Sequence, residues 1–119
     1  MKLTIVKKPW GYEQHYPDVS RSAFRSVHRA KMLVVYPGAA LSFQYHKHRE
    51  EHWTVLSGSG LIWLNQDIYN IYPKTEWFIP KNMHHRVIAQ EYLVIREESF
   101  GDVWNDEDIV RLKDNYERI

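Results

Sequence analysis

The sequence predicts an all-β domain, a sandwich or a small barrel, from two observations. About eight short runs rich in β-branched and aromatic residues follow one another, and turn residues such as Pro37-Gly38 and Pro80-Lys81-Asn82 separate them. The 119 residues suffice for one domain, and 44% of them are hydrophobic, which argues against disorder. Strands at this spacing are typical of sandwiches and barrels. In order, the runs are KMLVVYP, SFQYH, HWTVLS, LIWL, IYNIY, EWFIP, HRVIA and YLVIRE.

One helix is predicted near the end of the chain, over about residues 106–117. Asn105 can cap it, acidic residues fill its first turn, and Ile109, Leu112 and Tyr116 recur at helical spacing. We interpret this helix as a lid docked on the barrel.

The composition narrows the classes of partner. Sixteen Lys and Arg residues stand against fifteen Asp and Glu residues, so no nucleic-acid or membrane-surface partner is predicted. The chain has no cysteine, which excludes disulfides and thiolate metal sites, and its glycines form no phosphate-cradling motif. The apolar runs MKLTIVKK and MLVVY are too short for a signal peptide or a membrane span, so we expect a cytoplasmic protein.

Potential metal ligands concentrate between residues 44 and 52, where three histidines, one glutamine and two glutamates occur. In a strand, Gln44, His46 and His48 would point to the same face. Farther along the chain, His84-His85 begins another run, and one of the two should return to that face. Because β-barrels assemble three- or four-ligand metal sites from separate strands in this way, the pattern predicts a metal site. By itself it does not decide which histidines hold the ion.

Four stretches give the chain a resemblance to a known family. They are KPWGYE (residues 8–13), LSFQYHKHREEHWTVLSG (41–58), FIPKNMHHR (78–86) and DEDIVRLKDNY (106–116). Together they resemble the cupin domain of type II phosphomannose isomerases, which commonly forms the C-terminal part of a bifunctional mannose-1-phosphate guanylyltransferase. The resemblance runs from about Lys7 to Tyr116. It implies a cupin-type double-stranded β-helix, or jelly-roll, barrel: one cupin domain over residues 1–119, with its core at about 28–98 and a short C-terminal helix.

The cupin pattern also implies which residues are ligands. It requires H-x-H, then three or four residues, then glutamate, and a start at His46 fails because no glutamate stands at position 52 or 53. A start at Gln44 places the ligands on Gln44, His46 and Glu51, and the second motif adds His85. Such a mixed set suits Zn²⁺, Co²⁺, Mn²⁺ or another divalent ion without selecting one, and we expect one ion, with Zn²⁺ as the first choice. In that second motif Asn82 replaces the family's glycine, and asparagine tolerates the positive φ that such a turn needs.

The remaining polar residues of the two motifs are candidates for chemistry. An aldose–ketose isomerisation needs a base, a group that holds the developing oxyanion and a cation for the phosphate. We expect His48 or Glu50 to be the base and the metal or Arg49 to hold the oxyanion. Arg49, Arg86 and Lys81 are the candidates for the phosphate, and Arg86 also counts among the catalytic residues. Trp10 is interpreted as a packing corner, with a sugar contact as the alternative.

The leading hypothesis is a metal-dependent isomerase that interconverts mannose 6-phosphate and fructose 6-phosphate through an enediol. By resemblance, it would supply GDP-mannose and polysaccharide synthesis. One alternative is a metal-containing, sugar-binding cupin without turnover, and another is an isomerase or epimerase of a different sugar phosphate or nucleotide sugar. We expect a small-molecule sugar phosphate as ligand, a homodimer and, where the activities are split, a separate guanylyltransferase partner.

Overall fold

The computed structural model describes residues 4–20, 27–101 and 108–113; for residues 17–20 and 27–28 only the backbone is described. Within these ranges the chain forms eleven strands, and each of the eight predicted runs coincides with one of them. The strands are β1 (Thr4–Lys8), β2 (Gly11–Ser20), β3 (Val27–Val35), β4 (Phe43–Tyr45), β5 (Arg49–Ser57), β6 (Gly60–Leu64), β7 (Asp67–Ile71), β8 (Glu76–Ile79), β9 (His85–Ala89), β10 (Leu93–Gly101) and β11 (Val110–Lys113).

The strands make two antiparallel sheets. A six-stranded sheet has the order β1-β2-β3-β10-β5-β8, and a five-stranded sheet has the order β11-β4-β9-β6-β7. Alternate residues of both sheets point inward, so Leu33, Val55, Ile62, Val87 and Ile95 are each at most 2% exposed and form one core. This is the predicted cupin-type double-stranded β-helix.

Strands β1 and β2 were not predicted, and Trp10 lies in the turn between them. Its side chain is 3% exposed and belongs to the core cluster, while its carbonyl accepts a 2.9 Å hydrogen bond from the backbone N–H of Tyr36. Trp10 therefore packs as a corner of the barrel, and it also lines the cavity described below.

The helix predicted over residues 106–117 is wrong for residues 108–113, and the other predicted positions lie outside the described residues. Val110–Lys113 instead extends along β4 as the edge strand β11. Leu112, expected on the buried helical face, is 45% exposed, so pairing with an open sheet edge outweighs the helical spacing. The described residues contain no helix, and hence none that could cross a membrane.

Two backbone details fix the loop that follows β4. The carboxylate of Asp108 accepts hydrogen bonds from the backbone N–H groups of Lys47, at 3.0 Å, and His48, at 2.9 Å. Asn82 has the expected positive φ, 67°, and its N–H donates to the carbonyl of His46 at 2.7 Å. Hydrogen bonds with Asp108 and with Asn82 therefore both hold the loop that carries His46.

Candidate metal centre

The candidate ligands come from three strands and the loop after β4. Gln44 lies on β4 directly opposite His85 on β9, and paired residues of an antiparallel ladder point to the same face. On β5, Glu51 alternates with half-buried neighbours and points inward. His46 follows β4 by one residue and is 4% exposed.

Glu51 brings the two histidines together. Its Oε1 lies 3.5 Å from Nδ1 of His46 and 3.6 Å from Nε2 of His85. One ligand atom from each of the three residues lies within 4.8 Å of the others, so the group can hold a metal ion. Nδ1 of His85 lies 3.0 Å from the Met83 carbonyl; donation there orients the ring and leaves Nε2 for the ion.

Buried atoms without partners indicate what the site accommodates. Oε1 of Gln44, both carboxylate oxygens of Glu51 and Nε2 of His85 have no hydrogen-bond partner among the described residues. Buried polar atoms are nearly always paired, and each unpaired one costs about 1–3 kcal/mol. A divalent cation would satisfy these atoms together, and the set of one amide oxygen, one carboxylate and two imidazoles is chemically suited to it.

The surroundings keep both imidazoles in the form that binds a metal. Burial, with the positive charge of Arg49, lowers the pKa of His46 to about 2. Burial lowers the pKa of His85 to about 4, although its bond to the Met83 carbonyl acts in the opposite direction. At neutral pH both rings are therefore uncharged, as metal ligands must be.

The three ligands and Gln44 line a cavity of about 150 Å³. A row of charged and polar residues from the six-stranded sheet lines the same cavity, and sequence analysis did not identify it. Its members are Glu13, His15, Lys31 and Glu97, each at most 8% exposed.

The row is a connected ionic network. Nζ of Lys31 lies 3.3 Å from Oε2 of Glu13 and 3.4 Å from Oε2 of Glu97. Nε2 of His15 lies 2.7 Å from Oε1 of Glu13, and the indole N–H of Trp53 donates to Oε1 of Glu97 at 3.0 Å. Trp53 in turn packs edge-on against the ring of His85, so the network supports a candidate ligand.

Burial and neighbouring charges set the pKa values of the three charged groups. Burial alone would raise the pKa of Glu13, but the hydrogen bond with His15 and the ammonium of Lys31 lower it to about 2. Burial and the charge of Glu51 raise the pKa of Glu97 to about 7. Burial opposes the charge of Lys31, yet Glu97 and Glu13 raise its pKa overall.

A signal for this row was present in the sequence. Lys31 shares its strand face with Leu33 and Val35, and Glu97 shares its face with Leu93 and Ile95. A charged residue at an inward position of an otherwise apolar strand needs a partner or a function.

Of the predicted catalytic and substrate-binding residues, Arg49 is the one that lines the cavity. It is 5% exposed, and its Nε lies 3.5 Å from Oε2 of Glu51. His48 is exposed, because β4 ends at Tyr45 and the alternation that would have placed His48 beside His46 ends with it. The common face predicted for these two histidines is therefore wrong.

Glu50, Arg86 and Lys81 also lie away from the cavity. Glu50 is half-buried and alternates with the inward residues of β5. Arg86 alternates with His85 on β9, and its Nε donates to the Leu41 carbonyl at 2.8 Å. Lys81 is exposed in the turn after β8.

These features define a cupin-type barrel with a buried His–Glu–His group able to hold a metal. The chain belongs to the family described as mannose-6-phosphate isomerase C-terminal, which it matches over residues 2–114.

The chain is similar to two curated relatives and to one solved structure. Xanthan biosynthesis protein XanB of Xanthomonas campestris pv. campestris is 32% identical over 115 residues, covering 95% of this chain and 23% of that protein. The mannose-1-phosphate guanylyltransferase of Klebsiella pneumoniae is 32% identical over 118 residues, with the same two coverages of 95% and 23%. The chain thus spans 23% of the length of these relatives. The Streptomyces nucleoside dehydratase Pac13 shares the fold, with a TM-score of 0.75 and 14% identity over 93% of this chain and 85% of that one.

Proposed function

We propose that the chain is a metal-dependent isomerase that interconverts mannose 6-phosphate and fructose 6-phosphate, in the synthesis of GDP-mannose and polysaccharides. The observation that carries the proposal is the convergence of unpartnered, buried ligand atoms of Glu51 and His85 in the wall of a cavity lined by charged residues. Membership of the mannose-6-phosphate isomerase C-terminal family supports the choice of sugar.

Gln44, His46, Glu51 and His85 are the proposed ligands of one divalent ion, Zn²⁺ before Co²⁺ or Mn²⁺. Gln44 joins the set because its Oε1 is buried, unpartnered among the described residues and directly across the ladder from His85. When bound, the ion supplies a Lewis acid that stabilises negative charge on sugar oxygens.

The reaction moves a proton between C1 and C2 of the sugar, and the cavity offers groups for each part of that step. Arg49 is the proposed partner of the developing oxyanion, because its guanidinium lies beside Glu51 in the cavity wall. The expected bases, His48 and Glu50, lie outside the cavity, so the base is reassigned. The Lys31–Glu97 pair is the proposed proton carrier. Ser99 pairs with Glu51 across the ladder, and Glu97, two residues before Ser99, points to the same face, so the pair lies near the metal ligands.

Turnover and its dependence on metal test this function. Formation of fructose 6-phosphate from mannose 6-phosphate is followed in a coupled assay with the protein as purified, after chelator treatment, and after Zn²⁺, Co²⁺ or Mn²⁺ is added back. Activity that is lost with the metal and restored by it is the expected result. Absence of turnover in folded, metal-loaded protein would refute the isomerase and favour a sugar-binding cupin.

The homodimer and a separate guanylyltransferase partner are part of this proposal. Light scattering coupled to size-exclusion chromatography tests the first, and co-purification with a guanylyltransferase domain tests the second. A monomeric elution at assay concentration would remove the homodimer from the proposal without affecting the metal centre.

A further inference from the structure

Two cationic side chains reach the cavity from the outermost strands of the two sheets. Lys8 lies on β1, the edge of the six-stranded sheet, and Arg111 lies on β11, the edge of the five-stranded sheet. Both residues line the cavity that holds the candidate metal ligands. Each sheet thus contributes one cation from an edge strand to the lining of the cavity.

Arg111 stands in register with the metal centre. Its ladder partner is Gln44, and the ladder partner of Gln44 on the next strand is His85. The three side chains point to the same face, and neighbouring strands lie about 4.8 Å apart. The backbone of Arg111 thus lies about two strand spacings from that of His85, and a hexose is long enough to bridge this separation.

The other two cations of the cavity lie near carboxylates, and the charge of Lys8 also helps to lower the pKa of Glu13. Lys31 lies between Glu13 and Glu97, at 3.3 and 3.4 Å, and Arg49 lies 3.5 Å from Glu51. Among the described residues that line the cavity, Lys8 and Arg111 bring the count to four cations against three carboxylates. A divalent ion would add to this excess, so the cavity favours a ligand that carries more than one negative charge.

We propose that Arg111, with Lys8, holds the phosphate group of the sugar phosphate, an inference that rests on the proposed function. A guanidinium presents a planar fork that matches phosphate oxygens, and an ammonium contributes a point charge. The sugar then lies between this subsite and the metal centre, with C1 and C2 directed toward Glu51. Arg86 and Lys81, expected from the sequence to bind phosphate, lie outside the cavity and have no part in this subsite.

Each edge strand offers a matched control. On β11, Lys113 pairs with Phe43 and is exposed, whereas Arg111 lines the cavity. On β1, Lys7 is exposed, whereas Lys8 lines the cavity. Because the register of β11 shifts between Arg111 and Lys113, these two residues pair with the adjacent residues Gln44 and Phe43, whose side chains point to opposite faces. Arg111→Ala with Lys113→Ala, and Lys8→Ala with Lys7→Ala, thus each remove one positive charge from the same strand on opposite faces.

The test is calorimetric titration of the full, metal-loaded chain with fructose 6-phosphate and with inorganic phosphate. Arg111→Ala should weaken fructose 6-phosphate binding about 10- to 100-fold, the range of a charge-assisted contact, and should remove competition by inorganic phosphate. Lys8→Ala should have a smaller effect in the same direction. Lys113→Ala and Lys7→Ala should bind as the unmodified chain does, and Arg111→Lys should recover part of the affinity.

Metal content and melting temperature are measured for every variant, and Arg111→Gln replaces the alanine variant if the latter does not fold. Unchanged fructose 6-phosphate affinity in a folded, metal-loaded Arg111 variant would overturn the inference. So would an unmodified chain that binds neither fructose 6-phosphate nor inorganic phosphate. An inactive chain with Arg111-dependent binding would refute the isomerase alone, whereas an active chain with Arg111-independent binding would refute this subsite alone.

Discussion

Replacing Glu13 by glutamine should weaken the fold at neutral pH and have less effect in acid. Glu13 is 8% exposed, and its carboxylate lies between the ring of His15, at 2.7 Å, and the ammonium of Lys31, at 3.3 Å. These partners lower its pKa from 4.5 to about 2, although burial by itself would raise it. The folded protein therefore binds the proton on Glu13 more weakly than the unfolded chain does.

The pKa difference fixes the size and the direction of the effect. A shift from 4.5 to about 2 corresponds to about 3 kcal/mol of folding free energy, present in full at pH values above the unfolded pKa. This contribution is lost as the pH falls from about 4.5 toward 2, and a little over 1 kcal/mol of it is gone at about pH 3.5. Because the amide of glutamine can keep one of the hydrogen bonds, Glu13→Gln should lower the free energy of unfolding by about 2–3 kcal/mol at about pH 7.

Urea denaturation of both proteins between about pH 7 and pH 3.5 measures this difference. Glu91→Gln, at an exposed position between β9 and β10, is the control for removal of a surface charge and should stay within about 0.5 kcal/mol of the unmodified chain. A Glu13→Gln deficit that is the same at every pH would refute the reasoning, since the loss would then come from packing and not from the carboxylate charge.

Two further predictions concern the metal centre and one turn. Glu51→Gln and His85→Ala should each lower the affinity for Zn²⁺ more than about 100-fold and remove the rise in melting temperature that added metal causes. The control variant, His84→Ala, should keep both the affinity and the rise. A persistent metal-induced rise in the melting temperature of Glu51→Gln or His85→Ala would contradict the ligand assignment. Gly58→Ala would place a Cβ in steric conflict with the Tyr92 carbonyl oxygen at φ +85°, whereas Gly38→Ala has the similar φ of +79° and no neighbour within 4 Å. Gly38→Ala should lower the free energy of unfolding by about 1 kcal/mol, and Gly58→Ala should lower it by at least about 2 kcal/mol more, as measured by thermal unfolding. Equal losses in the two variants would show that the steric contact at Gly58 is relieved easily.

The eight strands could be predicted because their residues are β-branched or aromatic and because turn residues separate them. Strand β1 has β-branched residues at positions 4–6, but this run is short, mostly exposed and followed by two lysines. Strand β2 carries polar residues at inward positions, Glu13 and His15, so it does not show the apolar alternation of a strand. Strand β11 was missed because Ile109 and Leu112 also fit a helix, and only pairing with β4 decides between the two structures. Pairing partners distant in sequence are not visible in local patterns.

The proposed metal ligands could be chosen from the sequence because the cupin motif relates Gln44, His46 and Glu51 by fixed spacing, and the structure brings the last two together with His85. The roles of His48 and Arg86 were harder to predict because adjacency to a ligand in sequence says little about which face a side chain takes. His48 follows the end of β4, and Arg86 alternates with its ligand neighbour. Glu13, Glu97 and Lys31 of the opposite sheet belong to no spacing motif. The only sequence signal for them is that each is a charged residue at an inward position of its strand.

The carboxylate of Asp108 joins two parts of the chain that are 60 positions apart, since it binds the backbone immediately after His46. Reciprocity of coupled equilibria then applies: if an ion on His46 favours the docking of β11, the docked strand must favour the ion by an equal free energy. Arg111 lies on that same strand, three residues beyond Asp108. A sugar phosphate bound to Arg111 would stabilise the docked position of β11, and the docked strand would stabilise the loop that carries His46. Binding of the cation and binding of the substrate would then each raise the affinity for the other.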